Sequence, residues 1–248
     1  MNKSRRKFIK DIAITSVAIG IAPSVIKARQ SEEKEMFFKI SLAQWSLHRK
    51  LWAGELDHLD FPAYTKSNFD IHALEYVSTF FKSTEMEYLK ELKMQTDDLN
   101  LRNVLIMVDA EGNLGDLNEE ARIKSVENHG GYSSNGKWLS GVIEKVNHPN
   151  CGTLPDFGNF RISEDEEYDR YQGVEELMPY AKGVSAKSHE FDEDGNEIHT
   201  DFYKMLKIVK EAGYTGYIGV EYEGGELSED EGIIATKQLL EKVGKELS

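Results

Sequence analysis

Apolar runs of β type recur along the chain at nearly constant spacing, and this recurrence constrains the fold more than any other feature. The runs are Phe37–Trp45, Ile71–Val77, Asn103–Val108, Cys151–Leu154, Gly183–Lys187 and Tyr217–Tyr222. Four of the five intervals between their starts are 34, 32, 32 and 34 residues, the length of one strand–helix unit. Period-3.6 patterns lie between several of them. Ser83-Thr84-Glu85 opens one, with Met86, Leu89 and Leu92 on one face. Asp201 opens another, with Phe202, Met205, Leu206, Val209 and Ala212 inward and Gly213 as its stop. Ser228-Glu229-Asp230-Glu231 caps a last helix carrying Ile233, Ile234, Leu240 and Val243, its acids at the positive end of the helix dipole. Strand followed by helix throughout predicts a parallel sheet covered by helices.

The remaining interval, from 103 to 151, is 48 residues, one and a half units. It predicts one more strand, near Arg122–His129. The sum is about seven strands, where a (β/α)8 TIM barrel has eight. The expected fold class is therefore α/β, a TIM-type barrel that is incomplete, over residues 37–248. An open doubly wound sheet is the alternative, but no Gly-rich phosphate loop follows the first run. The acidic stretch Glu164–Glu167 reads as a solvated helix start.

Residues 2–10 are basic, Ile12–Ile26 is mostly apolar, and Lys27-Ala28-Arg29-Gln30 follows. This is the order of an export signal over residues 1–30, and Arg5-Arg6 between Ser4 and Phe8 matches the twin-arginine type. An uncleaved N-terminal anchor is the alternative, but about 15 apolar residues interrupted by Pro23 are short for a membrane span. The expectation is a periplasmic protein without stable membrane association after cleavage. The whole chain of 248 residues carries 30 basic and 44 acidic side chains, a net charge of −14. Without residues 1–29 the balance is 23 against 43, or −20. Such a surface excludes nucleic acid as a partner, because phosphate contacts need clustered Lys and Arg. The single cysteine, Cys151, excludes a disulfide framework and a multi-thiolate metal site.

In a barrel the chemistry sits at the C-terminal strand ends. Polar residues follow the apolar runs one after another: Trp45 and His48; Glu75; Asp109 and Glu111; Glu127, Asn128 and His129; Asp156 and Asn159; Lys187 and His189; Glu221 and Glu223. One such residue is ordinarily a cap or a turn. Seven such ends are harder to dismiss, because converging carboxylates repel unless a cation holds them. Glu127, Asp156, His189 and Glu221 form a candidate single-metal set. Three carboxylates and one imidazole suit Mn2+, Mg2+, Co2+ or Zn2+. The purely structural alternative puts Glu127 in a helix, Asp156 in a turn, and His189 and Glu221 in solvent.

Four segments carry a resemblance: Val-Glu-Asn-His-Gly-Gly (126–131), Leu-Pro-Asp-Phe-Gly-Asn (154–159), Lys-Ser-His (187–189) and Gly-Val-Glu-Tyr-Glu-Gly (219–224). With the opening Phe38–Ser46, they resemble the xylose isomerase-like TIM-barrel family of sugar phosphate isomerases and epimerases. The resemblance runs over nearly all of residues 37–244. It implies that Glu127, Asp156, His189 and Glu221 bind one divalent metal, Mn2+ first among the four ions. It implies that Glu127 and Glu221 are the proton-transfer pair. The implied reaction is isomerisation or epimerisation of a sugar through a metal-stabilised enediolate. In that setting Trp45 and His48 would line the sugar pocket, and Lys187 would neutralise an oxyanion.

The chain departs from this pattern in one place. After Asp109 come a loop and then Asn118–Ser125, which reads as a capped helix start, so a fourth strand and its helix are missing. Glu127 is a ligand if it ends a strand, and leaves the ring if the segment stays helical. An unclosed barrel also exposes sheet edges, which favours a homo-oligomer. Two other functions stay open: a lyase or hydratase acting on keto-sugars, and a degenerate, non-catalytic sugar-binding protein.

Overall fold

The computed structural model describes residues 35–108, 129–149 and 151–248. The expected export signal and Glu127 therefore lie outside the described residues. So does all of the expected Arg122–His129 strand except His129, which is exposed.

Among the described residues five strands form one sheet: β1 (Lys39–Ala43), β2 (Ala73–Val77), β3 (Arg102–Met107), β4 (Val184–Ser188) and β5 (Tyr217–Tyr222). Their order is β3-β2-β1-β5-β4, and every pairing is parallel. Residues 153 and 156 add parallel bridges to Ala181 and Ser185, which extends the sheet beyond β4. The first strand thus pairs with the last, and the order then runs back through the chain. That is the cyclic order of a barrel; a doubly wound sheet instead moves forward in sequence from its switch point. Among the described residues the ring is open between β3 and the 153–156 segment. These flank residues 109–128, which lie outside the described residues.

Among the described residues seven α-helices accompany the strands: α1 (His48–Ala53), α2 (Phe61–Phe69), α3 (Met86–Asp98), α4 (Gly136–Val146), α5 (Arg170–Leu177), α6 (Phe202–Glu211) and α7 (Glu229–Leu247). None of the described helices is long and apolar enough to cross a membrane. The helix starts expected at Asp201 and Ser228 are present. The Asp201 side chain accepts from Lys204 N, and Ser228 and Glu231 cap each other reciprocally.

Four expectations differ. Ala212, expected inward, is exposed at the C-terminal cap of α6. Glu164–Glu167 starts no helix: Arg161 and Glu167 form an antiparallel bridge, Glu166 O accepts from Ile162 N and Ser163 N, and α5 begins at Arg170 under an Asp169 cap. Met86 is exposed, because α3 buries only Leu92 and Thr96 against the loosely covered β3 side. Ile234 is also exposed. It stands 100° round the helix from the buried Ile233, and Leu239 takes the inward position.

β1, β2, β4 and β5 place alternate residues on opposite faces of the sheet. Leu42, Leu74, Tyr76, Val184, Ala186, Ile218, Val220 and Tyr222 are buried and face the helices. On the other face stand Ser41, Glu75, Ser185, Lys187 and Glu221, equally buried but polar. The barrel interior is therefore polar, and this is what positions the site.

Candidate active site

The inner face of β4 and β5 is built by register. Ser185 lies beside Gly219, and Lys187 beside Glu221. Glu223 continues the same face one step beyond β5, its N–H bonded to Ser188 O. Asp156 arrives from the next segment, its backbone bridged to Ser185. Three carboxylates thus converge on one ammonium. Lys187 Nζ is 3.2 Å from Glu221 Oε1, 3.1 Å from Glu223 Oε2 and 3.8 Å from Asp156 Oδ2. It also donates to Asn159 Oδ1 at 3.3 Å. The Lys187 side chain is only 3% exposed, while Glu223 is 25% exposed and forms the solvent side of the cluster.

Each carboxylate has a second donor for its other oxygen. Ser185 Oγ donates to Glu221 Oε2 at 2.6 Å. Trp45 Nε1 donates to Glu223 Oε1. Gly158 N and Asn159 N both donate to Asp156 Oδ1 at 2.8 Å. Gly158 also makes room for the lysine stem, since a Cβ there would meet Lys187 Cδ at 2.9 Å. Burial pushes the Asp156 carboxyl up to about 6, against the pull of Lys187 and with the push of Glu221. Burial also works to raise Glu223, but Lys187, Trp45 and His189 outweigh it and hold that carboxyl below its ordinary value.

One layer deeper, Ser41 donates to Glu75 Oε1. Glu75 Oε2 is buried with no hydrogen-bond partner. It fits because residue 219 is glycine: a Cβ there would meet Oε2 at 2.5 Å. Burial raises Glu75 to about 7, and the charge of Glu221 adds to the rise while Ser41 opposes it.

The rim is aromatic. A short 3-10 turn, Gln44–Leu47, ends β1 and is pinned to both neighbouring strands. Gln44 Oε1 accepts from Val77 N, while Ser46 Oγ accepts from Tyr222 N and donates to Val220 O. The turn swings Trp45 over the mouth. Its ring stacks on His48 with centroids 5.0 Å apart and meets Trp52 edge-on at 5.3 Å. Glu229, at the start of α7, accepts from Arg49 N and Lys50 N, fixing the first turn of α1 that bears His48. Trp52 is 60% exposed.

The structure thus brings together Asp156, Lys187, Glu221 and Trp45, with His48 on the rim. His189 follows β4, partly buried. Its backbone N–H bonds to Glu197 Oε1, and its ring lies edge-on to His199. Among the described residues no three His, Cys, Asp or Glu side chains are arranged to hold a metal ion. Of the donor set implied by the resemblance, Glu127 lies outside the described residues, and the Lys187 ammonium stands beside the carboxylates of Asp156 and Glu221. Sequence reasoning missed Ser41, Ser185 and Gly219. A glycine inside a strand is a signal of close approach and could have pointed to the last.

Residues 125–243 match the family model for the xylose isomerase-like TIM barrel. No curated protein sequence matches the chain. Among solved structures, D-psicose 3-epimerase with D-tagatose from Clostridium cellulolyticum H10 is similar, with TM-score 0.54 and 11% identity over 83% of this chain and 99% of that one. A sugar phosphate isomerase/epimerase from Parabacteroides distasonis ATCC 8503 gives 0.47 and 12%, over 82% and 97%. A xylose isomerase-like TIM-barrel protein from Mycobacterium smegmatis in complex with magnesium gives 0.42 and 14%, over 84% and 73%. At these identities the epimerase match shows the fold, and the two lower scores add no argument.

Proposed function

We propose that this protein isomerises or epimerises a small sugar or sugar derivative by moving a proton at the carbon next to a carbonyl. The observation that carries this reading is the Glu221–Lys187 pair at the C-terminal ends of adjacent strands, beneath a rim of Trp45, His48 and Trp52. Flat aromatic faces suit the apolar faces of a sugar ring. The Glu221 carboxylate removes the proton. The Lys187 ammonium lies where negative charge develops on the enediolate oxygen, in a cluster almost closed to water, where a fixed charge acts strongly. A second carboxyl returns the proton, and the resemblance assigns that part to Glu127. Return to the neighbouring carbon isomerises; return to the other face epimerises. Trp45 positions Glu223 through its indole N–H and so keeps that carboxylate turned toward Lys187.

Exchange in D2O tests this. Free and phosphorylated ketoses incubated with the protein should gain deuterium next to the carbonyl and yield an isomer, and Glu221→Gln should abolish both. No exchange with any of them would remove the reading. Loss of water in place of isomer formation would assign the same site to a lyase or hydratase. The twin-arginine reading of residues 1–30 rests on Arg5-Arg6 and the apolar run after it. Replacing both arginines by lysine should keep the protein inside the cytoplasm in a fractionation assay.

A further inference from the structure

Asp156, Glu221 and Glu223 surround Lys187 Nζ at 3.8, 3.2 and 3.1 Å, the Asp156 contact being an ion pair longer than a hydrogen bond. One oxygen of each is turned to the ammonium; the other accepts a hydrogen bond from Ser185, from Trp45, or from the Gly158 and Asn159 amides. A hard divalent ion needs such oxygens at roughly 2.0–2.6 Å, crowded around one point. That point is held by Nζ, with a fourth oxygen from Asn159 at 3.3 Å. Lysine has no freedom to leave. Its side chain is 3% exposed, its stem lies against Gly158, and its Cα is held in register with that of Glu221.

We propose that Lys187 is the resident cation of this site: its ammonium takes the place of a divalent metal, and the chain binds none at Asp156 and Glu221. The proposal rests on the isomerase reading only for the charge's use, stabilising an enediolate oxygen. The seat itself rests on geometry. Three carboxylates from two segments repel one another without a cation, and here one lysine supplies it with no loading step.

Mn2+ titration followed by electron paramagnetic resonance tests the seat directly, using the full chain stripped with EDTA. The wild-type protein should leave the free-ion signal undiminished up to millimolar Mn2+. Lys187→Ala, which empties the seat, should remove about one Mn2+ per chain from solution and gain thermal stability as it does so. Lys187→Arg, which keeps a cation there, should take up none. Uptake of one Mn2+ by the wild type, lost in Asp156→Asn and in Glu221→Gln, would overturn the proposal. It would restore the Glu127, Asp156, His189 and Glu221 metal set. The wild-type titration decides even where Lys187→Ala does not fold. Deuterium exchange, with EDTA and with Mn2+, separates this proposal from the function. Exchange that needs Mn2+ sinks the lysine seat and keeps the isomerase. A silent Mn2+ titration with no exchange in either condition keeps the seat and sinks the isomerase.

Discussion

The two faces of the same strands are equally buried and chemically opposite. On the helix side, Ile218, Val220 and Tyr222 of β5 pack against apolar helix faces; on the barrel side, Gly219 and Glu221 alternate with them. The outer face gains stability by removing apolar area from water, about 25 cal/mol per Å2. The inner face gains nothing of that kind and must instead satisfy each buried polar atom. It does so almost completely, through Ser41, Ser185, Lys187, Trp45 and two backbone amides. Glu75 Oε2, which has no hydrogen-bond partner, belongs to a carboxyl that burial raises to about 7. One face therefore holds the molecule together, while the other holds charge in place.

That division can be broken from either side. The largest expected effect is at the inner face: Glu221→Gln should lower turnover by about 10²- to 10⁴-fold, the usual worth of a general base, with melting temperature little changed. A large drop in melting temperature with turnover intact would reverse the assignment of the faces. At the outer face, Ile218→Ala should cost about 2–5 kcal/mol in denaturant unfolding and leave turnover per folded molecule unchanged.

The next effect depends on pH. The Glu75 carboxyl is raised from 4.5 to about 7 in the folded protein, so the folded state binds its proton more tightly than the unfolded chain does. Its contribution is complete below the unfolded value and is lost as pH rises toward and through about 7. Urea unfolding at pH 5 and pH 8 should show a loss on the order of 3 kcal/mol that Glu75→Gln lacks. Equal pH slopes in the two proteins would mean that Glu75 is ionised in its pocket. The smallest effect lies outside both faces. Ser228→Ala removes the cap of α7 and should cost about 1 kcal/mol without touching turnover, read from the same unfolding curves.

Much of this architecture is legible in the sequence. The 32- and 34-residue spacing marks the repeated strand–helix unit, and five of the six apolar runs became named strands. The caps at Asp201 and Ser228 follow from residue type alone, since a short polar side chain before an apolar helix face has one local use. The sequence reading also brought Asp156, Lys187 and Glu221 forward as strand-end residues. Two elements are not anticipated: α4, although Leu139 and Ile143 mark an apolar face at helical spacing, and the turn that replaces a helix at Glu164–Glu167, which depends on local backbone geometry.

The period-2 alternation of β4 places Ser185, Lys187 and His189 on one face, and the sequence by itself determines that much. It does not determine which of the three stands level with Glu221. That choice belongs to the pairing of β4 with β5, where Lys187 meets Glu221 and His189 falls beyond the strand. The physical reason is range. Side-chain direction along a strand is set by neighbouring peptide units, whereas register is set by two segments more than thirty residues apart finding their shared hydrogen bonds. Only the tertiary structure could decide whether a histidine or an ammonium ends up among the carboxylates.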